Sequence, residues 1–242
     1  MLVVDIKYMA NISKQDFKNF FKYYKEESQQ VAGVEILYDQ IRDVLKSDDH
    51  AWITTYRSKP EATSDKPLDV PYQSQNDNAS GTGYRECFSS SCAMVAMYYG
   101  KIANDDAYNL VRQKYGDSTD AQAQLRTLRS LGLEANFITN GTTSDIRDCI
   151  DSGRPVPVGW LHKGHVSSPS GTGHYSVIIS YTKDAWIVHD PNGPAKLVSG
   201  GYEDSFDGAS LSYSFKNFNP RWIVGGEGDG WYMDIRDPEV KK

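Results

Sequence analysis

The hydrophobic pattern of this 242-residue chain changes its period near Gly153. Before that point, apolar residues recur at helical intervals and glycines punctuate the runs. One run starts about Cys87 and is stopped by Gly100. A second is capped by Asn104 and ended by Gly116. A third, capped by Ser118 or Thr119, carries Leu125, Leu128 and Leu131 on one face, with Gly132 behind it. "LEANFIT" predicts a strand, and Ser144 opens a short helix closed by Gly153. Beyond Gly153 the chain reads as strands: "PVPVGWLH", "HYSVIISY", "AWIVHDP", "LSYSF", "RWIVGG" and "WYMDI", with Lys183 and Asp184 at a tight hairpin. Helices first and antiparallel strands after them define an α+β fold, not alternating α/β.

The first 57 residues predict a separate helical module. Ser13 and Asp16 mark a helix start, and Phe17, Phe20, Phe21 and Tyr24 follow at helical spacing. Val34, Leu37, Ile41, Val44 and Leu45 repeat the pattern, giving a helical hairpin. "SKPEATSDKP" (58–67) is polar and proline-flanked and reads as a linker, leaving 68–242 as the main domain.

The formal net charge is -6 and no basic tract is present, which argues against a nucleic-acid partner. The longest apolar runs fall far short of the roughly 18 residues of a membrane span. The amino terminus lacks the basic start and long apolar stretch of a signal peptide, so a cytosolic location is expected, with release to the cell wall only by another agent. Three cysteines, Cys87, Cys92 and Cys149, argue against a disulfide framework. Without a Cys-x-x-Cys pair, thioredoxin-type chemistry and cysteine-rich zinc sites lose support.

Cys87 stands where a loop becomes a helix. The unpaired N–H groups and dipole of a helix start favour an anion there, and with a cationic partner a thiol can fall to the range of roughly 3.5–7.5. The residues that follow (Ser89, Ser90, Ser91, Cys92, Ala93, Ala96) are small, as a central buried helix requires. Cys92 lies about 140° around the axis from Cys87, so it reads as a packing residue. Cys149, on an amphipathic helix, reads likewise. A thiolate needs a base, and the base needs an orienting group. His174 opens an apolar strand after a glycine-rich turn, and Asp190 ends the next strand. In an antiparallel hairpin these two positions are neighbours. Gln75, in "VPYQSQND", could hold an oxyanion together with the Cys87 N–H, although Gln73 is a candidate in another register.

"VPYQSQND", "CFSSSCAM", "GTGHYSVIISY" and "VHDP" together resemble the papain-like cysteine peptidases of the bacteriocin-processing, double-glycine leader peptidase-like group. The resemblance covers about Leu68 to Pro191. It implies a papain-like fold, with a helical half built on a central nucleophile helix and an antiparallel sheet half. It also implies Cys87 as nucleophile, His174 as base, Asp190 as its orienting carboxylate and Gln75 as the oxyanion residue. Ser91 and Met94 fall on helix positions that are Ser and Met in that group. Phe88 departs from the usual Cys-Gly and bears on the width of the cleft. "LHKGHVSSPSGTGH" and "NFNPRWIVGGEGDGWYM" resemble bacteriophage cell-wall lysins, notably those of cyanophages.

These readings predict a thiol-dependent amide hydrolase with no cofactor and no metal. Its substrate is expected to be the peptide part of bacterial peptidoglycan, with a glycine-rich leader or a viral structural protein as the alternative. Phe88, Trp160 and His165 are the expected substrate contacts. Three rival readings are weaker. An inert core cysteine does not account for the ordered Gln, Cys, His and Asp. A zinc site at His162, His165 and His174 lacks the helical i, i+4 pair. A non-catalytic peptide binder would not need the intact set. His189 should point to the sheet face opposite Asp190.

Overall fold

The computed structural model describes residues 66–240; the helical module over 1–57 lies outside them, as does the linker over 58–67 except its last two residues. Five helices and six strands make up the described part. Helix α1 (Cys87–Tyr98), α2 (Asp105–Arg112) and α3 (Ala121–Ser130) come first. Strand β1 (Glu134–Gly141), α4 (Thr143–Asp151), β2 (Val156–Trp160), β3 (His174–Tyr181), β4 (Ala185–His189), β5 (Leu211–Ser214), α5 (Phe215–Trp222) and β6 (Gly230–Arg236) follow. All strand pairs are antiparallel, in the order β1-β6-β2-β3-β4-β5.

The sheet is covered on both faces. Val177 and Ile179 of β3 pack with α1, α2 and α3, through Val95, Tyr108 and Leu128. Ile178, one residue out of phase, packs with α4 and α5 through Ile146 and Phe218. This explains why "SVIIS" is apolar without alternation: a strand covered twice has no wet face. Helix α1 is buried from Phe88 to Ala96, so its small residues let neighbours approach on every side. It ends at Tyr98, and Gly100 adopts φ +69°, a conformation that halts the helix with little strain only for glycine.

Three local expectations are corrected. The cap of α3 is Asp120, whose side chain accepts from the Gln122 N–H, not Ser118 or Thr119. Helix α4 starts one residue earlier than Ser144, because Thr142 and Asp145 form a reciprocal capping box. "RWIVGG" is not a strand. Arg221 and Trp222 close α5, which contains Pro220, and Ile223 to Gly226 form a turn. The β3–β4 hairpin is as expected: Lys183 and Asp184 lie in the turn, closed by the Thr182 N–H donating to the Ala185 carbonyl at 2.8 Å.

Candidate active site

Cys87 is the first residue of α1, half-buried, while Cys92 and Cys149 are buried. No side chain caps α1, because its N-cap residue, Glu86, faces elsewhere. The Glu86 carboxylate is buried and accepts from Asn78 Nδ2 (2.7 Å), Ser80 Oγ (2.8 Å), Thr82 Oγ1 (2.8 Å) and Asn109 Nδ2 (3.3 Å). These bonds tie the loop before the nucleophile to α2 and fix where α1 begins.

His174 and Asp190 meet as the hairpin geometry predicts. Both are buried, and His174 Nε2 lies 2.7 Å from Asp190 Oδ1. That leaves Nδ1 for the hydrogen bond between His174 and Cys87. Burial pulls the imidazole pKa down, but the Asp190 carboxylate and the Cys87 thiolate outweigh it and push it up to about 10. The thiol moves the other way. Burial would raise it, yet the His174 charge, the His174 hydrogen bond and the Tyr175 N–H hold it below its ordinary value. Both shifts favour a thiolate–imidazolium pair, and the thiolate is the nucleophilic form of a cysteine. Cys92 contrasts with it: burial pushes its thiol well above the usual range.

Asp190 is held on several sides. Tyr213 Oη donates to its Oδ2 at 2.9 Å and the Asn192 N–H to its Oδ1 at 3.0 Å. Tyr72 Oη donates to its carbonyl at 3.1 Å. Gln75 lies against the same segment, its N–H donating to the Pro191 carbonyl at 2.8 Å. Its side-chain amide is buried, and Nε2 donates one hydrogen to the Gly83 carbonyl at 2.9 Å, leaving a second N–H free to act. Gly83 is required there, since a Cβ would collide with the Gln75 carbonyl oxygen. Gln73 is engaged elsewhere, its Oε1 accepting from the Asp105 N–H at 3.3 Å.

The three expected substrate contacts part company. Phe88 is turned into the core, stacked on Tyr175 with ring centroids 3.6 Å apart, so its side chain does not face the cleft. Trp160 is 2% exposed; its ring stands edge-on to His174 at 5.4 Å and its indole N–H donates to Ser176 Oγ. His165 is exposed, and its ring bonds Ser167 within its own loop. His189 points away from Asp190, with its ring nitrogens on the Val70 carbonyl and the Ser210 N–H.

Among the neighbours of the site, Tyr202 and Arg221 escaped the sequence reading, and His162 entered it only as a candidate zinc ligand. His162 and Tyr202 stand beside His174, with ring centroids 5.9 Å and 5.4 Å from it. Burial and the His174 charge push His162 down to about 4, so it is neutral near pH 7. Arg221, fully buried, donates to the carbonyls of Leu197, Leu161, Lys163, Gly164 and Val198. It thereby joins the two loops that carry His162 and Tyr202. Among the described residues no group of three or more His, Cys, Asp or Glu is placed to hold a metal ion, and no helix is long and apolar enough to cross a membrane.

A buried helix presenting a cysteine to a histidine and a carboxylate at the ends of an antiparallel sheet's strands is the architecture of papain-like cysteine peptidases. The chain belongs to the Peptidase_C39 like family, whose model matches residues 67–224. A putative C39-like peptidase from Bacillus anthracis shares the fold, with 14% identity and a TM-score of 0.50 over 74% of this chain and 99% of that one. A double glycine motif protease from an AMS/PCAT transporter, solved in complex with the leader peptide, is 18% identical (TM-score 0.46, 73% of this chain, 99% of that one). The peptidase domain of Streptococcus ComA, a bifunctional ABC transporter involved in a quorum-sensing pathway, is 20% identical (TM-score 0.42, 63% and 91%). No curated protein matches the chain.

Proposed function

We propose that the chain is a thiol-dependent peptidase in which Cys87 is the nucleophile, His174 the proton carrier, Asp190 its orienting carboxylate and Gln75 an oxyanion donor. The observation that carries this reading is the 2.7 Å contact of His174 Nε2 with Asp190, with the remaining ring nitrogen bonded to Cys87. The Cys87 thiolate attacks the carbonyl carbon of the substrate. The resulting oxyanion is met by the Cys87 N–H and the Gln75 amide. His174, as imidazolium, gives its proton to the departing amine, and a thioester to Cys87 remains. Water then attacks the thioester, with His174 taking its proton, and the thiolate is restored.

The substrate we favour is a polypeptide, in a processing role, which family membership supports. The peptide part of bacterial peptidoglycan, reached after release to the cell wall, rests on the resemblance of the loops around His165 and Gly225 alone. Purified sacculi and an unfolded protein substrate, offered in parallel, separate the two. Release of muropeptides without proteolysis would reverse the preference. Cys87→Ala is expected to abolish hydrolysis, while Cys92→Ala retains most of it. Equal loss in both variants would contradict the assignment of the nucleophile.

A further inference from the structure

A cavity of about 390 Å³, the size of a small-ligand site, lies between α2 and the loop over 79–82. Glu86, the residue before Cys87, forms part of its wall. Cys87, His174 and Asp190 do not line it, so it adjoins the start of α1 without belonging to the candidate active site.

The wall carries three charged groups, and they are not equally committed. The Glu86 carboxylate is 1% exposed and already accepts from four side chains, so it has nothing left for a ligand. Arg112 is 9% exposed. Its Nη1 donates to the Gly116 carbonyl at 2.8 Å and its Nη2 to Asn109 Oδ1 at 3.3 Å. Its Nε–H has no partner among the described residues. A buried donor on a cation is costly to leave empty. Asp106, in the first turn of α2, is half-buried; its Oδ1 accepts from the Ala79 N–H at 2.8 Å. Among the described residues its Oδ2 accepts from none, and the side-chain amide of Gln113 is likewise uncommitted.

Two uncommitted charges of opposite sign therefore line one space. A simple anion would satisfy Arg112 and be repelled by Asp106, and a simple cation would meet the reverse. A ligand that carries both signs satisfies both. Leu110, 62% exposed on the same wall, offers carbon to a side chain of that ligand.

We propose that this cavity binds a small zwitterion of the amino-acid or dipeptide class, its carboxylate on Arg112 Nε and its ammonium on Asp106, and that occupancy changes the reactivity of Cys87. The link to the nucleophile is short. Arg112 Nη2 stands 3.8 Å from Glu86 Oε1, and Asn109 is bonded to both residues. A carboxylate arriving on Arg112 competes with Glu86 for one cation, and Glu86 is the residue from which α1 starts. The ligand has two sources, the free amino-acid pool and short products of the proposed hydrolysis. Only the second rests on the peptidase reading above.

The test is calorimetric titration of the full chain with leucine and with leucyl-leucine, beside isovalerate and isoamylamine, which carry one charge each. At least one zwitterion should bind about tenfold or more tighter than either single-charge analogue. Tighter binding of leucine would support the free pool as the source, and tighter binding of leucyl-leucine the products. Two variants locate the site. Asp106→Asn keeps an acceptor for the Ala79 N–H and should weaken binding about tenfold. Gln113→Trp fills the space and should abolish it. Saturating ligand should also change the rate of Cys87 alkylation by iodoacetamide about twofold or more, in the unaltered chain and not in Gln113→Trp. No binding of either zwitterion at about 10 mM would overturn the site. Equal affinity for a single-charge analogue, or unchanged affinity in both variants, would overturn it too. Binding that leaves the alkylation rate unchanged would overturn the effect on Cys87. None of these readouts needs turnover, so a chain that binds the zwitterion but hydrolyses no peptide would contradict the peptidase reading and leave the site standing.

Discussion

At the scale of single residues, the opposed shifts of Cys87 and His174 decide how the site responds to pH. The His174 charge holds the thiol low, while the Asp190 carboxylate and the Cys87 thiolate hold the imidazole high. The ion pair forms as pH rises through the depressed thiol value and is lost as His174 gives up its proton near 10. Alkylation of Cys87 by iodoacetamide should therefore already be fast well below pH 8.5, where an ordinary thiol is mostly protonated. A single rise centred near 8.5 would mean that the pair does not exist. Tyr213→Phe removes the donor to Asp190 Oδ2, and hydrogen bonds to charged groups are worth about 1.5–3 kcal/mol. Steady-state kinetics should show kcat about tenfold lower with KM within about twofold; a change confined to KM would deny Tyr213 a positioning role. Cys87, His174 and Asp190 were legible in the sequence because each stands at the end of an element that local patterns reveal. Tyr213 was not, because its partner lies 23 positions away and is reached only through the register of β4 with β5. Phe88 misled because adjacency to a nucleophile says nothing of which side of a helix start a ring occupies.

At the scale of elements, α1 and α2 meet through polar groups as well as apolar ones. Asp105, in the first turn of α2, is buried and accepts from Ser90 Oγ of α1 at 2.8 Å. Burial pushes its carboxyl up to about 6 despite that bond. A folded-state pKa above the unfolded value means stability that is full in acid and is lost as pH rises through about 6. The α2 dipole offsets part of this cost. Asp105→Asn keeps an acceptor for Ser90 and should raise stability by about 1 kcal/mol at pH 8 and by nothing at pH 4, read from urea unfolding. A loss at pH 8 would show that the charge itself holds the helices together. Element types were mostly readable, because cap residues, glycine stops and the two hydrophobic periods are local signals. The failure at 221–226 has a physical cause. "RWIV" looks like a strand because aromatic and aliphatic residues run together, but Trp222 is buried at the end of a helix while Ile223 is half-buried and Val224 exposed in the turn that follows.

At the scale of the whole described domain, Arg221 is the point where distant loops converge. It replaces five separate satisfactions of buried carbonyls at 161–164 and 197–198 with one planar side chain. Arg221→Met takes the side-chain donor from the Leu161, Gly164 and Leu197 carbonyls, while those of Lys163 and Val198 keep the N–H groups of Ser170 and Val166, at a cost of about 3 kcal/mol. Thermal unfolding should show the loss. Activity below the transition should fall with it, since His162 and Tyr202 beside His174 ride on those loops. A variant with wild-type stability would mean that water serves the carbonyls equally well. None of this was visible in the sequence, where the five partners are 23 to 60 positions from residue 221.

The segment just before the nucleophile loop has a mechanical consequence. Leu68 is bonded to Ile179, Tyr72 to Asp190, and Gln75 to Pro191, so a short length of backbone runs like a lace across the end of the sheet. The amide that would greet the oxyanion and the carboxylate that steadies the imidazole hang from the same cord. Slackening it anywhere should blunt both at once, so damage there would be felt as a single, concerted failure of turnover and not as two independent defects.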